Sequence, residues 1–299
     1  NGNQSSDVWR QNIDIGEKDS NPTLDSSHHI VFYYNNTYTN YCSVHSWKNG
    51  ICSVCDSVEE PQLVDDYYEI GNYGNLVWFQ QYVDAGNLEI NARLTADIYH
   101  YMYVLDSNGN LNRYDVPNWK PIGRDKIATR NQLFNGTLDG AGHTISGLCV
   151  YYEDEFEEYC GLFAATKEKS VIKNLNIVDS FFGGEYCSSV GSFVGYCEGR
   201  IENCYSSATI VGSGYCGGIV GQIKSTVSDC LYNGKIIGNY YSNAIASDTY
   251  NEGVLTNCYY NENCGKSSSR ATSVTDEQLA SGEVAYLLNG DQSDIKWYQ

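Results

Sequence analysis

The sequence predicts an all-β chain: a right-handed parallel β-helix with short capping helices and one small segment stapled by Cys and His. Three observations predict it. A two-part phrase recurs four times at spacings of 26 to 30 residues. Around the copies lie short runs with apolar side chains at every second position, broken by Gly or Asn, as in Ser206-Ser-Ala-Thr-Ile-Val and Leu231-Tyr-Asn-Gly-Lys-Ile-Ile. The composition, with 29 Gly, 27 Tyr and 4 Pro among 299 residues, suits short strands and tight turns better than long helices. A unit of this size cannot bury its own apolar face, so successive units stack and share one core.

Residues 1–34 read as a linking segment. It begins Asn1-Gly-Asn-Gln-Ser-Ser-Asp-Val-Trp9-Arg-Gln11, and the same phrase returns 288 residues later as Asn289-Gly-Asp-Gln-Ser-Asp-Ile-Lys-Trp297-Tyr-Gln299. The repetition makes Trp9, Gln11, Trp297 and Gln299 candidate contacts between copies of the chain. Those copies would follow head to tail, as covalent tandem repeats or as a homopolymer, with residues 1–34 continuing a preceding unit.

Residues 35–64 contain Cys42-x2-His45-x6-Cys52-x2-Cys55. Two pairs of soft or borderline ligands flank a Lys48-Asn49-Gly50 turn. Such spacing closes a tetrahedral structural zinc site with no position left for water. The competing reading is a disulfide from Cys42 to Cys52 or Cys55. A crosslink of one kind is required, because a segment this small carries too little apolar surface to fold alone.

Residues 65–271 hold the solenoid. Asn72 to Ala85 carries Leu76, Phe79, Gln80 and Val83 at helical spacing, which predicts a helix over the open end of the stack. Ile90 to Ile98 alternates and reads as the first rung, and Leu133 to Leu148 as an earlier coil. Gly161-Leu-Phe-Ala-Ala, Gly191-Ser-Phe-Val-Gly, Gly217-Gly-Ile-Val-Gly and Ser242-Asn-Ala-Ile-Ala are the first half of the phrase. Val171-Ile-Lys-Asn-Leu, Arg200-Ile-Glu-Asn-Cys, Thr226-Val-Ser-Asp-Cys and Val254-Leu-Thr-Asn-Cys are the second. Residues 272–299 open on Thr275-Asp-Glu-Gln, a capping box that starts a helix interrupted by Gly282 and is expected to cap the far end before the link to the next unit.

Twelve cysteines suggest an oxidising, extracellular setting. Cys204, Cys230 and Cys258 occupy the slot that Leu175 fills one coil earlier, so they are expected to form a buried column of thiols. Cys149 with Cys160, Cys187 with Cys197, and Cys258 with Cys264 are local disulfide candidates.

The formal charge is −19, which repels phosphate backbones and anionic lipid and argues against nucleic-acid and membrane-surface partners. No run reaches the roughly 18 apolar residues of a membrane helix, so insertion is not expected. No Ser/His/Asp or Cys/His grouping can be assembled from the spacing, and His143 belongs to a Gly-rich turn. Tyr186, Tyr196, Tyr215, Tyr240, Tyr241, Tyr259 and Tyr260 recur near coil corners and could form a contact face for glycan or host protein.

These phrases resemble the GLUG-type repeats of bacterial surface proteins common in Gram-positive gut anaerobes. Residues 161–260 carry the repeats, Phe134 to Leu148 is similar to the preceding coil, and Gly282 to Gly290 to the usual exit. The resemblance implies a secreted or cell-surface, non-enzymatic structural module of a tandem-repeat stalk or filament. An adhesin with a Tyr-rich binding face is the second reading, and a carbohydrate-active β-helix enzyme the third.

Overall fold

The computed structural model describes residues 9–14, 16–34, 36–42, 45–112, 116–123, 133–152, 156–239, 241–247, 253–290 and 296–298. Two compact units emerge, residues 1–59 and 60–299.

The first unit is built on two antiparallel hairpins, β1 (Phe32–Tyr34) with β2 (Thr37–Thr39) and β3 (Trp47–Lys48) with β4 (Ile51–Cys52). The expected division at residue 34 falls inside the first hairpin. Asn40 explains why the stretches join. Its Oδ1 accepts from the Ile13 and Asp14 N–H groups, and its Nδ2 donates to the Gln11 and Ile30 carbonyls. One buried amide thus replaces the core that so short a chain cannot build.

The second unit is a parallel β-helix of about six turns. A full coil contains five short strands, for example Val171–Lys173, Asn176–Val178, Phe181–Gly183, Cys187–Val190 and Val194–Cys197. Each pairs in parallel with its counterpart one coil on. Alternation sends every second side chain inward, and the in-register stacking lines like residues into columns. Ala92, Leu138, Ile172, Ile201 and Val227 form one such buried column. Val150, Phe182, Ile210 and Ile236 form another.

The stack starts one strand earlier than the alternation suggested. Tyr67–Ile70 pairs in parallel with Asn91–Leu94, and α1 (Tyr73–Asp84) connects them. Asn72 caps α1 by accepting the Asn75 N–H. Leu76, Phe79 and Val83 turn into the common core, where Phe79 meets Phe134 and Phe163 edge-on at 5.8 and 6.5 Å.

The C-terminal helices lie elsewhere than expected. The capping box forms, with Thr275 and Gln278 bonded reciprocally at the start of α2 (Asp276–Ala280). Gly282, at φ 84°, ends it, and α3 (Glu283–Asn289) follows. Val284 and Leu288 pack on Leu231 and Tyr259, whose neighbours Tyr232 and Tyr260 point into the core. Leu231 and Tyr259 therefore face outward, and α3 covers the flank of the stack. The flank was apolar enough to recruit the helix, a property visible only after the strands are in register.

Candidate metal centre

The Cys/His set is assembled by the second hairpin of the first unit. Asn49 and Gly50 have φ of 51° and 73°, the left-handed pair that a tight two-residue hairpin turn requires. The turn pairs Trp47 with Cys52. The His45 ring stacks on the Trp47 indole at 4.6 Å, which fixes its orientation.

All four ligand atoms lie within 4.8 Å of one another. Cys42 Sγ is 3.9 Å from Cys52 Sγ, and Cys55 Sγ is 3.4 Å from His45 Nδ1. A tetrahedral zinc ion has S···S edges of about 3.8 Å and S···N edges of about 3.5 Å, from ordinary Zn–S and Zn–N bond lengths. The donor set fits such an ion. Cys52 is buried, which disfavours its thiolate. N–H groups of Val54, Ser46 and Cys55, with the His45 ring, outweigh that and bring the thiol down to about 6. Partial desolvation pushes Cys42 up to about 11, with the Cys55 and Cys52 sulfurs adding to the rise. A divalent cation among them would reverse this repulsion and hold all three as thiolates.

All twelve cysteines carry free thiols. Cys204, Cys230 and Cys258 are buried, and each thiol donates to the carbonyl two residues back, on Glu202, Ser228 and Thr256. The local disulfide candidates are not the pairs the fold brings closest. Cys149 faces outward from its strand, beneath Val104 and Val116 of the 100–120 insertion, whereas Cys160 points into the main core. Cys160 Sγ instead lies 3.0 Å from Cys187 Sγ. Cys197 engages Thr166 and the Gly199 carbonyl, while Cys258 donates to Val227 and Cys264 to Lys266. Sequence proximity suggested pairs along one coil. Parallel stacking favours pairs between coils.

Of the tyrosines expected at the coil corners, Tyr215 is half-buried with its ring 5.3 Å from that of Tyr241. Tyr196, Tyr259 and Tyr260 are buried, Tyr186 and Tyr241 are exposed, and Tyr240 lies outside the described residues. His143 meets Asp97 at 3.3 Å within its turn. Of the acidic run Glu153 to Glu158, Glu153, Asp154 and Glu155 lie outside the described residues, and Glu157 is buried. Trp297 packs with Leu231 and Leu288, whereas Trp9 is 46% exposed and Gln11 half-buried; Gln299 lies outside the described residues. Asn289 clamps Trp297, accepting from the Lys296 and Trp297 N–H groups and donating to the Ala285 and Trp297 carbonyls.

The coils carry the comparison with known proteins. The strands Cys187–Val190, Val194–Cys197, Arg200–Glu202, Tyr205–Ser206 and Thr209–Gly212 make one complete turn. Residues 186–211 match the GLUG motif. The GLUG motif in this chain is thus one coil of the β-helix. Halomucin of Haloquadratum walsbyi is 33% identical over 123 residues, which is 40% of this chain and 1% of that protein. The chain therefore spans about 1% of that relative's length. A solved structure from Bacteroides ovatus, described as a candidate immunoglobulin A1 protease, aligns over 77% of this chain and 89% of that one, with a TM-score of 0.47 and 12% identity. No helix among the described residues is long and apolar enough to cross a membrane.

Proposed function

We propose that the chain is a non-enzymatic structural module of a secreted or cell-surface protein, a GLUG β-helix accompanied by a small zinc-stapled unit. The observation that carries this reading is the use of the motif. Its glycines and apolar positions serve coil-to-coil contact: at Gly191 and Gly217 a Cβ would come within 2.7 Å of the neighbouring coil's backbone. The conserved shape of the phrase within this chain is thereby explained by stacking, without recourse to chemistry at its surface. The resemblance to halomucin, a very long protein, is consistent with a module embedded in a larger one.

Cys42, His45, Cys52 and Cys55 would hold zinc, which when bound supplies a crosslink and no reactive position, since all four sites are taken by protein. Copies of the unit would follow one another head to tail. The recurrence of Asn and Trp eight residues apart, at Asn1 and Trp9 and again at Asn289 and Trp297, supports that arrangement. The test is surface labelling of intact native cells with a membrane-impermeant amine reagent. The chain should appear in the labelled or secreted fraction. Recovery solely from the cytosol would overturn the reading.

A further inference from the structure

The strand Glu157–Cys160 pairs in parallel with Cys187–Val190, which pairs in turn with Tyr215–Cys216. Cys160, Val190 and Cys216 therefore share one slot in three successive coils, and all three are fully buried in the main core. In that slot a thiol alternates with a valine, so as apolar filler it needs no chemistry. Cys187 lies outside the slot. It opens its strand, opposite Glu157, and its side chain also enters the core. Its backbone is pinned there. The N–H donates to the Gly184 carbonyl, and the carbonyl accepts from the Ser213 N–H and hydroxyl.

The two sulfurs meet. Cys160 Sγ lies 3.0 Å from Cys187 Sγ, closer than the roughly 3.5 Å at which even non-bonded carbon atoms touch. Cys42 and Cys52, whose closeness the metal set explains, are 3.9 Å apart. That explanation does not extend to the core pair. Among the described residues, the Cys42 set alone gathers three or more His, Cys, Asp or Glu ligand atoms tightly enough for a metal. Neither core thiol can meet a substrate in the folded chain, since both are 0% exposed. What remains open to two converging thiols is each other. We propose that Cys160 and Cys187 form a disulfide that staples two successive coils, the pair standing 27 residues apart in sequence.

The bond needs a two-electron oxidant, and the disulfide of a thiol–disulfide oxidoreductase serves. The thiolate of Cys187 attacks it, giving a mixed disulfide and releasing one oxidant thiolate. The thiolate of Cys160 then attacks the Cys187 sulfur of the mixed disulfide, forming the Cys160–Cys187 bond and releasing the second. The two protons lost by the cysteines end on the two released thiolates, and the two electrons go with them. Both sulfurs are sealed once the coils have stacked. The exchange therefore belongs to folding, before the coil carrying Cys187 docks, and the finished bond resists reductant until the solenoid opens. The pairing itself rests on the core geometry. Only the supply of oxidant in the native setting rests on the secreted or cell-surface reading.

The test is to produce the intact chain by export into an oxidising bacterial periplasm and, in parallel, in a reducing cytosol. Each preparation is denatured without reductant, alkylated and mapped by mass spectrometry. The exported chain should yield Cys160 and Cys187 peptides joined as one species, two hydrogens lighter than their sum, with the other seven solenoid cysteines alkylated. Its solenoid should melt about 5–10 °C above that of the cytosolic form. Cys160→Val installs the residue that fills the same slot at position 190. It should fold, yield no joined peptide and melt at one temperature from either source. Alkylated Cys160 and Cys187 in the exported chain, or Cys187 joined to Cys216 instead, would overturn the proposal. So would a rise in melting temperature on export as large in Cys160→Val as in the wild type. A joined pair in the exported chain, with free thiols in protein taken from native cells, would uphold the pairing and count against the secreted reading alone.

Discussion

Asn174, Asn203, Asp229 and Asn257 repeat one left-handed corner coil by coil. Asp229 receives a hydrogen bond from Asn257 but, as a carboxylate, has none to pass to Asn203, whose Oδ1 is buried without a partner. The substitution Asp229→Asn retains an acceptor for Asn257 and adds a donor toward Asn203. It should stabilise the solenoid by about 1 kcal/mol, read as a rise in melting temperature of about 2–4 °C for a unit of this size. A fall would show that Asn203 Oδ1 has a partner in solution. Sulfur chemistry is the other residue-scale feature. Ten cysteines are buried, and only Cys42 and Cys55 are partly exposed. In native protein, alkylation should spare the ten. If the four residues hold a metal, chelation should open the segment so that Cys42, Cys52 and Cys55 label first, with the nine solenoid cysteines protected until global unfolding. Cys55→Ser should open residues 40–60 to protease while the solenoid melts as before. Unchanged protease resistance of that segment would remove both the zinc and the disulfide reading. The four candidate ligands were legible because metal spacing is local. The seating of Trp297 on Leu231 was not, because it depends on a C-terminal segment folding back across coils formed more than sixty residues earlier.

The strand is the element that the sequence disclosed best. Period-2 alternation needs no long-range information, and the repeat supplied the register. Helix α1 and the α2 capping box were equally local signals. The misplacements share one cause. Cys149 and α3 each depend on which outward faces remain apolar after stacking, and that is decided by residues from different coils. Leu231 and Tyr259 lie 28 residues apart in sequence yet pair side by side to receive Val284 and Leu288. The glycines of the repeat show the opposite case, a local letter with a nonlocal reason. At Gly191 an added Cβ would stand 2.5 Å from Val194 O and 2.6 Å from Gly221 N, both backbone atoms that cannot swing aside. Gly191→Ala should cost about 3 kcal/mol and lower the melting temperature by about 6–12 °C. Gly142→Ala is a control for space alone, since nothing lies within 4 Å there, although its φ of 87° strains the backbone. A Gly191→Ala protein that melts at the wild-type temperature would mean the coils can separate locally at no cost.

Across the whole molecule, stacking makes stability nearly one-dimensional, each coil depending on the next. Such architecture tolerates extension, and the recurring terminal phrase suggests how extension is arranged. Asn289 holds Trp297 by four hydrogen bonds, with its amide bridging the end of α3 to the Trp backbone eight residues on. The indole is thereby pressed against Leu231 and Leu288. Asn1 and Trp9 repeat that spacing, and Trp9 is 46% exposed where its counterpart is packed. If units follow head to tail, Trp9 belongs beside the exit helix of the copy before it, as Trp297 lies beside α3. Native material imaged by negative stain should then show extended particles with a regular axial repeat. In a two-unit chain, Trp9→Ala in the second copy should loosen the joint, seen as a broader distribution of inter-unit angles, while each solenoid keeps its melting temperature. Globular, unconnected particles from native material, or a joint indifferent to Trp9, would show that the phrase recurs for the sake of the single unit alone.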